Sequence, residues 1–255
     1  MRETVFGNTY SAHYDDIYRA KDYEAECDFV ETLIQRSGVD VESIIDLGCG
    51  TGGHLIPLSR RGYCMTGVDV SPQMLDIAKE KTRSAGIDTP LFEGDLRTVD
   101  TGKRYDAAIS MFSVFGYLQS NSDVAEACGN IRKMLNPGGL FIFDVWFGPA
   151  VIAEPPGQRF RRFVEGDTEI LRFTEPITDL ENHIVETRFH VLTIRDNRIV
   201  ARDEENHRVR FFFPMEIRRY LEESGFESVT LCPFMQPDSR LDETCWYMTV
   251  VGKAP

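Results

Sequence analysis

The chain has 255 residues, with 28 Lys and Arg against 41 Asp and Glu, a formal net charge of −13. Hydrophobic residues make up 42% and charged residues 27%, which excludes a disordered, collagen-like or disulfide-scaffold chain. A chain this long buries about 70–75% of its unfolded surface and needs no metal or disulfide to hold a core. The acidic balance lacks the field that neutralises phosphates, so nucleic acid and an anionic membrane are not expected partners.

The six cysteines, Cys27, Cys49, Cys64, Cys128, Cys232 and Cys245, form no C-x-x-C pair and no zinc spacing. Reduced thiols in a cytoplasmic protein are the expectation. MRETVFGNTY carries no apolar stretch of signal-peptide type, and no run of 18 apolar residues occurs.

Residues 22–36 place Cys27, Val30, Leu33 and Ile34 near helical spacing, and Ser37-Gly38 ends that helix. SIIDLG (43–48) reads as a strand, 53–61 as a short helix closed by Gly62, and YCMTGVDV (63–70) as the next strand. Ser71-Pro72 is a helix start, followed by a buried face of Met74, Leu75 and Ala78. PLFEGD (90–95) and YDAAISMF (105–112) are two more strands. A helix over 122–135 carries Val124, Cys128, Ile131 and Leu135, and Asn136-Pro137-Gly138-Gly139 breaks it. GLFIFDVW (139–146) is a nearly continuous apolar strand, as expected where helices cover both faces. This alternation predicts an α/β, doubly wound, mostly parallel sheet. From 158 to 213 the helical period vanishes. Extended stretches joined at Gly166-Asp167, residues 179–182 and Asp196-Asn197 predict three or four antiparallel strands. A helix over 214–225 and two closing strands, FESVTLCPF and ETCWYMTVVG, follow. The expected organisation is a helical lid and first helix (1–40), a cofactor-binding core (41–150), an antiparallel insertion (151–213) and a closing helix and hairpin (214–255).

The sharpest motif is Asp46-Leu47-Gly48-Cys49-Gly50-Thr51-Gly52-Gly53, between a strand and a helix. Its glycines allow a tight turn and close approach of a ligand to the backbone. Asp69 ends the next strand, 69 − 48 = 21 residues on, where a carboxylate can accept from a ribose diol. Asp95 ends the third strand and could accept from an adenine amino group. A nicotinamide cofactor gives no reason for Asp95, and no Tyr-x-x-x-Lys pair is present for hydride chemistry.

At IIDLGCGTG, GVDVSPQML, FEGDLR, YDAAISMFSVFGYL and LNPGGLFIFDVW the sequence resembles the class I S-adenosylmethionine-dependent methyltransferases, over residues 43–146. The resemblance implies a seven-stranded Rossmann-like sheet ending in an antiparallel hairpin. It implies that Asp46, Gly48, Cys49, Gly50 and Gly52 cradle the methionine part of the cofactor. Asp69 would bind the ribose, Val70 and Met74 would flank the adenine, and Asp95 and Leu96 would meet its edge, with Met111 in the same cofactor-binding set. Residues 14–23 (YDDIYRAKDY), with MFSVFGYL (111–118), look like the N-methyltransferases of nucleotide-linked amino sugars, whose insertion after the fifth strand often builds a dimer. The stretch between Tyr18 and Asp22 is shorter than in that pattern, and Asp144-Val145-Trp146-Phe147 replaces a Glu-Pro-Trp-Trp type run.

Tyr10, Tyr14 and Tyr18 recur at helical spacing, as an aromatic staple or as a lid. In the lid reading Tyr18 and Lys21 reach the methionine carboxylate and Tyr14 faces the acceptor. After strand four the chain reads Ser110-Met111-Phe112-Ser113, not the Asn/Asp-Pro-Pro-Tyr turn of nucleic-acid amine methylation. Tyr14, Tyr117 and His207 are the candidate catalytic residues. Ser113, Trp146 and Arg210 are candidate substrate contacts, Arg210 through a phosphate. No carboxylate–histidine cluster suggests a metal. The expected function is methyl transfer from S-adenosylmethionine to a small molecule, with an amine favoured over a hydroxyl because no strong base is evident. O-methylation with His207 as base, a cofactor-binding protein without turnover and a nucleotide-dependent oxidoreductase are the alternatives. A homodimer through the insertion is expected.

Overall fold

The computed structural model describes residues 21–255. Tyr10, Tyr14 and Tyr18, and the lid expectation attached to them, lie outside the described residues. Helix α1 (Tyr23–Ser37) starts where the Asp22 carboxylate accepts from the Ala25 N–H at 3.0 Å, and ends at Gly38 with φ +67°. That side-chain cap satisfies one of the N–H groups a helix start leaves unpaired. Strand β1 (Ser43–Leu47), helix α2 (Leu55–Arg60) and strand β2 (Cys64–Asp69) follow. Helix α3 (Pro72–Ser84) opens on Ser71, whose Oγ accepts from the Met74 N–H at 3.3 Å. Then come β3 (Leu91–Glu93), β4 (Tyr105–Ser110), a short 3-10 turn (Val114–Tyr117), α4 (Asn121–Met134) behind a Ser120/Asp123 capping box, and β5 (Leu135–Phe147).

Strands β3-β2-β1-β4-β5 lie parallel in that order. Strand β11 (Tyr247–Lys253) runs antiparallel beside β5, and β10 (Ser228–Pro233) pairs antiparallel with β11. This is the expected seven-stranded core. Cys27, Val30, Leu33 and Ile34 of α1 pack one face, against Ile44, Ile109 and Ile142. Val124, Cys128 and Ile131 of α4, with Ile217 and Leu221 of α6 (Pro214–Glu223), pack the other, against Ile45, Phe141 and Phe143. Full burial of each such side chain is worth about 1.5–3 kcal/mol.

Helix α5 (Gly148–Ala153) leads into a four-stranded antiparallel insertion, β6 (Arg159–Glu165), β7 (Thr168–Asp179), β8 (Ile184–Arg195) and β9 (Arg198–Phe212). The last residues of β9 return to the core, pairing Phe211 with Trp146 and Phe212 with Phe147 in parallel. Trp146 already meets Tyr247 on its β11 edge. The end of β9 therefore takes the edge that β4, which stops at Ser110, leaves open.

Several boundaries differ from the sequence reading. The helix read over 122–135 ends at Met134, and Asn136-Pro137-Gly138-Gly139 lies inside β5 instead of outside a strand. Leu135 already pairs with Tyr105, and the register shifts before Ala107 meets Leu140. Gly138 has φ +77°, and a Cβ on Gly139 would sit 3.0 Å from the Asp106 carbonyl, so the glycines accommodate this irregularity. The strand read at 90–95 is only Leu91–Glu93. Helix α5 and the 3-10 turn were not anticipated, being too short to show a period. No described helix is long and apolar enough to cross a membrane.

Candidate active site

The glycine turn leaves β1 at the carboxyl edge of the sheet, where open α/β folds bind ligands. Gly48, Gly50 and Gly52 have φ of +84°, +53° and +87°. Two of these glycines do different work. A Cβ on Gly48 would collide with Val114 at 2.4 Å, so this glycine lets the loop after β4 close on the turn. A Cβ on Gly50 would meet nothing within 4 Å, so there the backbone faces open space that a ligand can enter. Gly48, Cys49 and Gly50 line a cavity with Met111, Phe112 and Val114 of the β4 loop, and Tyr23 and His54 also reach it. A wider cavity bounded by Pro233, Arg240, Trp246 and Tyr247 contains none of the turn residues.

Asp69 holds the turn in place. Its Oδ2 accepts from the Gly50 N–H and its Oδ1 from the Ser71 N–H, each at 2.8 Å. Each oxygen keeps a second lone pair, enough for one hydroxyl of a diol apiece. Burial raises its pKa, opposed by those N–H groups. Val70, the next residue, is 60% exposed, an apolar surface beside the carboxylate. Asp46 is buried and its Oδ2 has no hydrogen-bond partner. Burial, then the charge of Asp69, pushes its carboxyl up to about 8. Burial also drives the Cys49 thiol far above its ordinary range, so this cysteine is an inert wall. An unpartnered buried carboxyl, an open glycine backbone, a carboxylate with spare lone pairs and an exposed valine fit the amino-acid, ribose and adenine parts of S-adenosylmethionine.

Other expected positions are used differently. The Met74 and Leu96 side chains are buried, Leu96 in the core with Val99, so neither presents an apolar face to an adenine. Asp95 grips Arg97, accepting from Nε at 2.9 Å and from Nη2 at 2.5 Å, and Arg97 also bridges to Asp123. Lys21 is paired with Glu26 and lies 4.1 Å from the centre of the Phe112 ring. Glu26 accepts from His54 Nε2 at 2.7 Å. Burial would raise the Glu26 carboxyl, but the His54 hydrogen bond and the Lys21 charge hold it below its ordinary value. Burial depresses His54, which therefore donates as a neutral ring. Lys21, Glu26 and His54 thus form a closed buried chain that joins α1 to the β4 loop, a pairing that spacing alone could not reveal.

Arg210 requires a correction. Its guanidinium is buried, bonded to Glu216 and to Asn121 Oδ1 at 2.8 Å, and lies 5.0 Å from the centre of the Phe212 ring. It anchors the end of β9 to α4 and α6 instead of presenting a phosphate-binding fork. Ser113 also turns inward: its Oγ donates to Asp144 Oδ2 at 2.8 Å. The same carboxylate accepts from the N–H groups of Phe112 (2.5 Å) and Ser113 (2.9 Å). Trp146 is half-buried, 5.8 Å from the Trp246 ring.

Tyr117 and His207 do come together, phenol oxygen to Nδ1 at 2.7 Å. Glu205, which the sequence did not single out, meets the other ring nitrogen at 3.0 Å. Its signal was only the i, i+2 alternation that puts it on the face of β9 that carries His207. Among the described residues no group of three His, Cys, Asp or Glu could hold a metal ion.

The doubly wound sheet, hairpin and glycine turn define a methyltransferase fold. Residues 44–139 match the family model described as a methyltransferase domain. The chain is 30% identical over 151 residues to the dTDP-3-amino-3,4,6-trideoxy-alpha-D-glucopyranose N,N-dimethyltransferase of Streptomyces venezuelae, covering 57% of this chain and 62% of that enzyme. It is 28% identical over 223 residues to the dTDP-3-amino-3,6-dideoxy-alpha-D-glucopyranose N,N-dimethyltransferase of Streptomyces fradiae, covering 86% and 84%. In fold it superposes on the sugar N-methyltransferase KedS8 of Streptoalloteichus with a TM-score of 0.83 at 20% identity, over 100% of this chain and 96% of the other. The chain thus resembles methyltransferases of amino sugars in sequence and shares the fold of S-adenosylmethionine-dependent methyltransferases.

Proposed function

We propose that the acceptor is the amine of a nucleotide-linked amino sugar. The observation that carries this reading is the meeting of the insertion with the carboxyl edge of the core: β9 pairs with the end of β5, and His207 of β9 bonds Tyr117 on the turn 114–117, whose Val114 lies against Gly48. The amino-sugar N,N-dimethyltransferase relatives support the same acceptor class. The acidic chain has no field for a polyanionic nucleic acid.

When bound, S-adenosylmethionine supplies an electrophilic methyl group. Asp69 takes the ribose diol, Val70 gives the adenine an apolar surface, and Asp46 faces the amino end above the glycine backbone. Met111 and Phe112 complete the wall. The protein's task is then to align an amine lone pair with the methyl carbon, and such alignment supplies much of the rate. Tyr117 faces the acceptor, with Trp146 at the rim. Tyr14 and Tyr18, outside the described residues, complete the acceptor and cofactor sides in this reading. The enzyme works in the cytoplasm without a metal; its six free cysteines agree with a reducing compartment. It pairs as a homodimer through the insertion.

The test is turnover of dTDP-3-amino-3,6-dideoxy-α-D-glucopyranose against its 3-hydroxy counterpart, with labelled S-adenosylmethionine. Methylated amine detected by mass spectrometry is the expected result. Transfer to the hydroxyl sugar alone would replace this reading with O-methylation.

A further inference from the structure

We infer that Glu205, His207 and Tyr117 form a proton relay whose substrate end is the Tyr117 phenol. The inference rests on the amine reading above and adds how the acceptor loses its proton. Glu205 and His207 are both buried, 8% and 5% exposed, and Tyr117 is half-buried. The Glu205 carboxylate can only accept, so His207 Nε2 carries a hydrogen and donates to it at 3.0 Å. In the neutral ring Nδ1 is then the acceptor, and the Tyr117 hydroxyl donates to it at 2.7 Å. The polarity of the whole chain follows from its carboxylate end.

The frame around these groups is rigid. Glu205 and His207 lie two apart on β9 and point to one face. The Phe189 ring stands edge-on to His207 at 5.1 Å and sets the imidazole plane. A Cβ on Gly116 would collide with Val209 at 2.7 Å, so the turn carrying Tyr117 lies directly on β9. That turn continues from Val114, which lines the cofactor cavity. The relay therefore hangs on the turn that begins at the rim of that cavity, and its phenol is the end assigned to the acceptor.

A sugar ammonium has no lone pair to attack with. Its N–H donates to the Tyr117 oxygen, and that proton moves to the phenol as the phenolic proton moves to His207 Nδ1. The imidazolium so formed is stabilised by Glu205. The amine lone pair then forms the new N–C bond, the methyl–sulfur bond breaks, and its electron pair stays on sulfur as a thioether. The imidazolium proton leaves to solvent, and charge balances throughout. Tyr117 touches the acceptor; His207 and Glu205 are positioning residues that act through it.

The experiment uses the full chain saturated with S-adenosylhomocysteine, with 15N-labelled histidine read by NMR, together with steady-state kinetics on the amino-sugar acceptor. A wild-type His207 protonated on Nε2 alone is expected, and one protonated on Nδ1 overturns the relay whichever acceptor is used. Glu205→Gln should lower kcat by about 10²-fold, the scale of general acid–base assistance, with KM and cofactor affinity within about twofold, and Glu205→Asp should restore most of the loss. A folded Glu205→Gln with kcat within about twofold of wild type would overturn it, leaving Glu205 as a staple of the insertion. If Glu205→Gln loses its cooperative melt, Tyr117→Phe carries the same test, because it removes one oxygen from a half-buried ring. Failure of the wild type to methylate any amine refutes the acceptor reading, and the histidine tautomer still decides the relay.

Discussion

Two carboxylates at the ends of β1 and β2 divide the work at the residue scale. Asp69 already accepts two backbone N–H groups, and the proposed function assigns its remaining lone pairs to the ribose diol. Its replacement by Ala should weaken S-adenosylmethionine binding by about 10–100-fold, the equivalent of 1.5–3 kcal/mol for lost charged hydrogen bonds. Calorimetry on a variant that still melts cooperatively checks this, and wild-type affinity would refute the ribose assignment. Asp46 makes a different prediction. With its carboxyl pushed up to about 8, it is mostly protonated at pH 7. An ammonium brought beside it favours the ionised form, so cofactor binding at pH 7 should release close to one proton. Heats of binding in buffers of different ionisation enthalpy would show this as a linear dependence, and a flat line would remove Asp46 from the site. Both residues were legible because a backbone motif places them at strand ends. The Asp95–Arg97 and Lys21–Glu26 pairs were not, because rotamers and tertiary neighbours decide which carboxylate meets which cation.

At the scale of the element, the loop after β4 depends on β5. Phe112 and Ser113 have φ of +66° and +57°, a conformation that side chains disfavour and that surrounding contacts must impose. Asp144 imposes it with three accepted hydrogen bonds. The loop then lays Val114 on Gly48 and Phe112 beneath Lys21. Burial pushes the Asp144 carboxyl up to about 6, against the Ser113 hydrogen bond, the Lys21 charge and the Phe112 N–H. Because this pKa is raised above the unfolded value of about 3.9, the group stabilises the fold most below pH 4 and loses that contribution as pH rises through 6, by about 3 kcal/mol. The clamp needs the opposite state, since a protonated carboxyl cannot accept all three bonds equally well. Activity should therefore fall below pH 6 while the melting temperature does not fall on account of Asp144. Asp144→Asn should cost roughly 10-fold or more in kcat/KM at pH 8, because its amide places a donor against one of the N–H groups. Wild-type activity in that variant would show that the loop holds itself. The strands were readable here from apolar runs. The clamp was not, because a run that differs from Glu-Pro-Trp-Trp says nothing of which backbone it grips.

For the whole molecule, the insertion raises the question of association. Its inner face carries Ile170, Val185, Val191 and Val209, all buried. Its outer face leaves Phe160, Val164, Phe173 and Ile177 exposed, at 56%, 63%, 41% and 57%. Phe160 and Phe173 face each other across β6 and β7, with ring centres 5.0 Å apart, so the patch is contiguous. An apolar sheet face of this kind invites pairing, and a two-fold interface would cover the same patch on both copies. Arg162 lies between Phe160 and Val164 on β6, and Glu175, opposite Arg188, lies between Phe173 and Ile177 on β7, so these charges would have to stay paired or hydrated within the interface. We therefore expect a sedimentation mass near twice 29.1 kDa at micromolar concentration. Phe160→Glu together with Phe173→Glu should halve that mass, since two carboxylates buried against their symmetry mates cannot be paired. Tyr117 and His207, the proposed acceptor side, meet on the opposite face of the insertion, so the dissociated variant should keep its cofactor affinity. A wild-type mass of 29.1 kDa would leave the outer face without a partner copy.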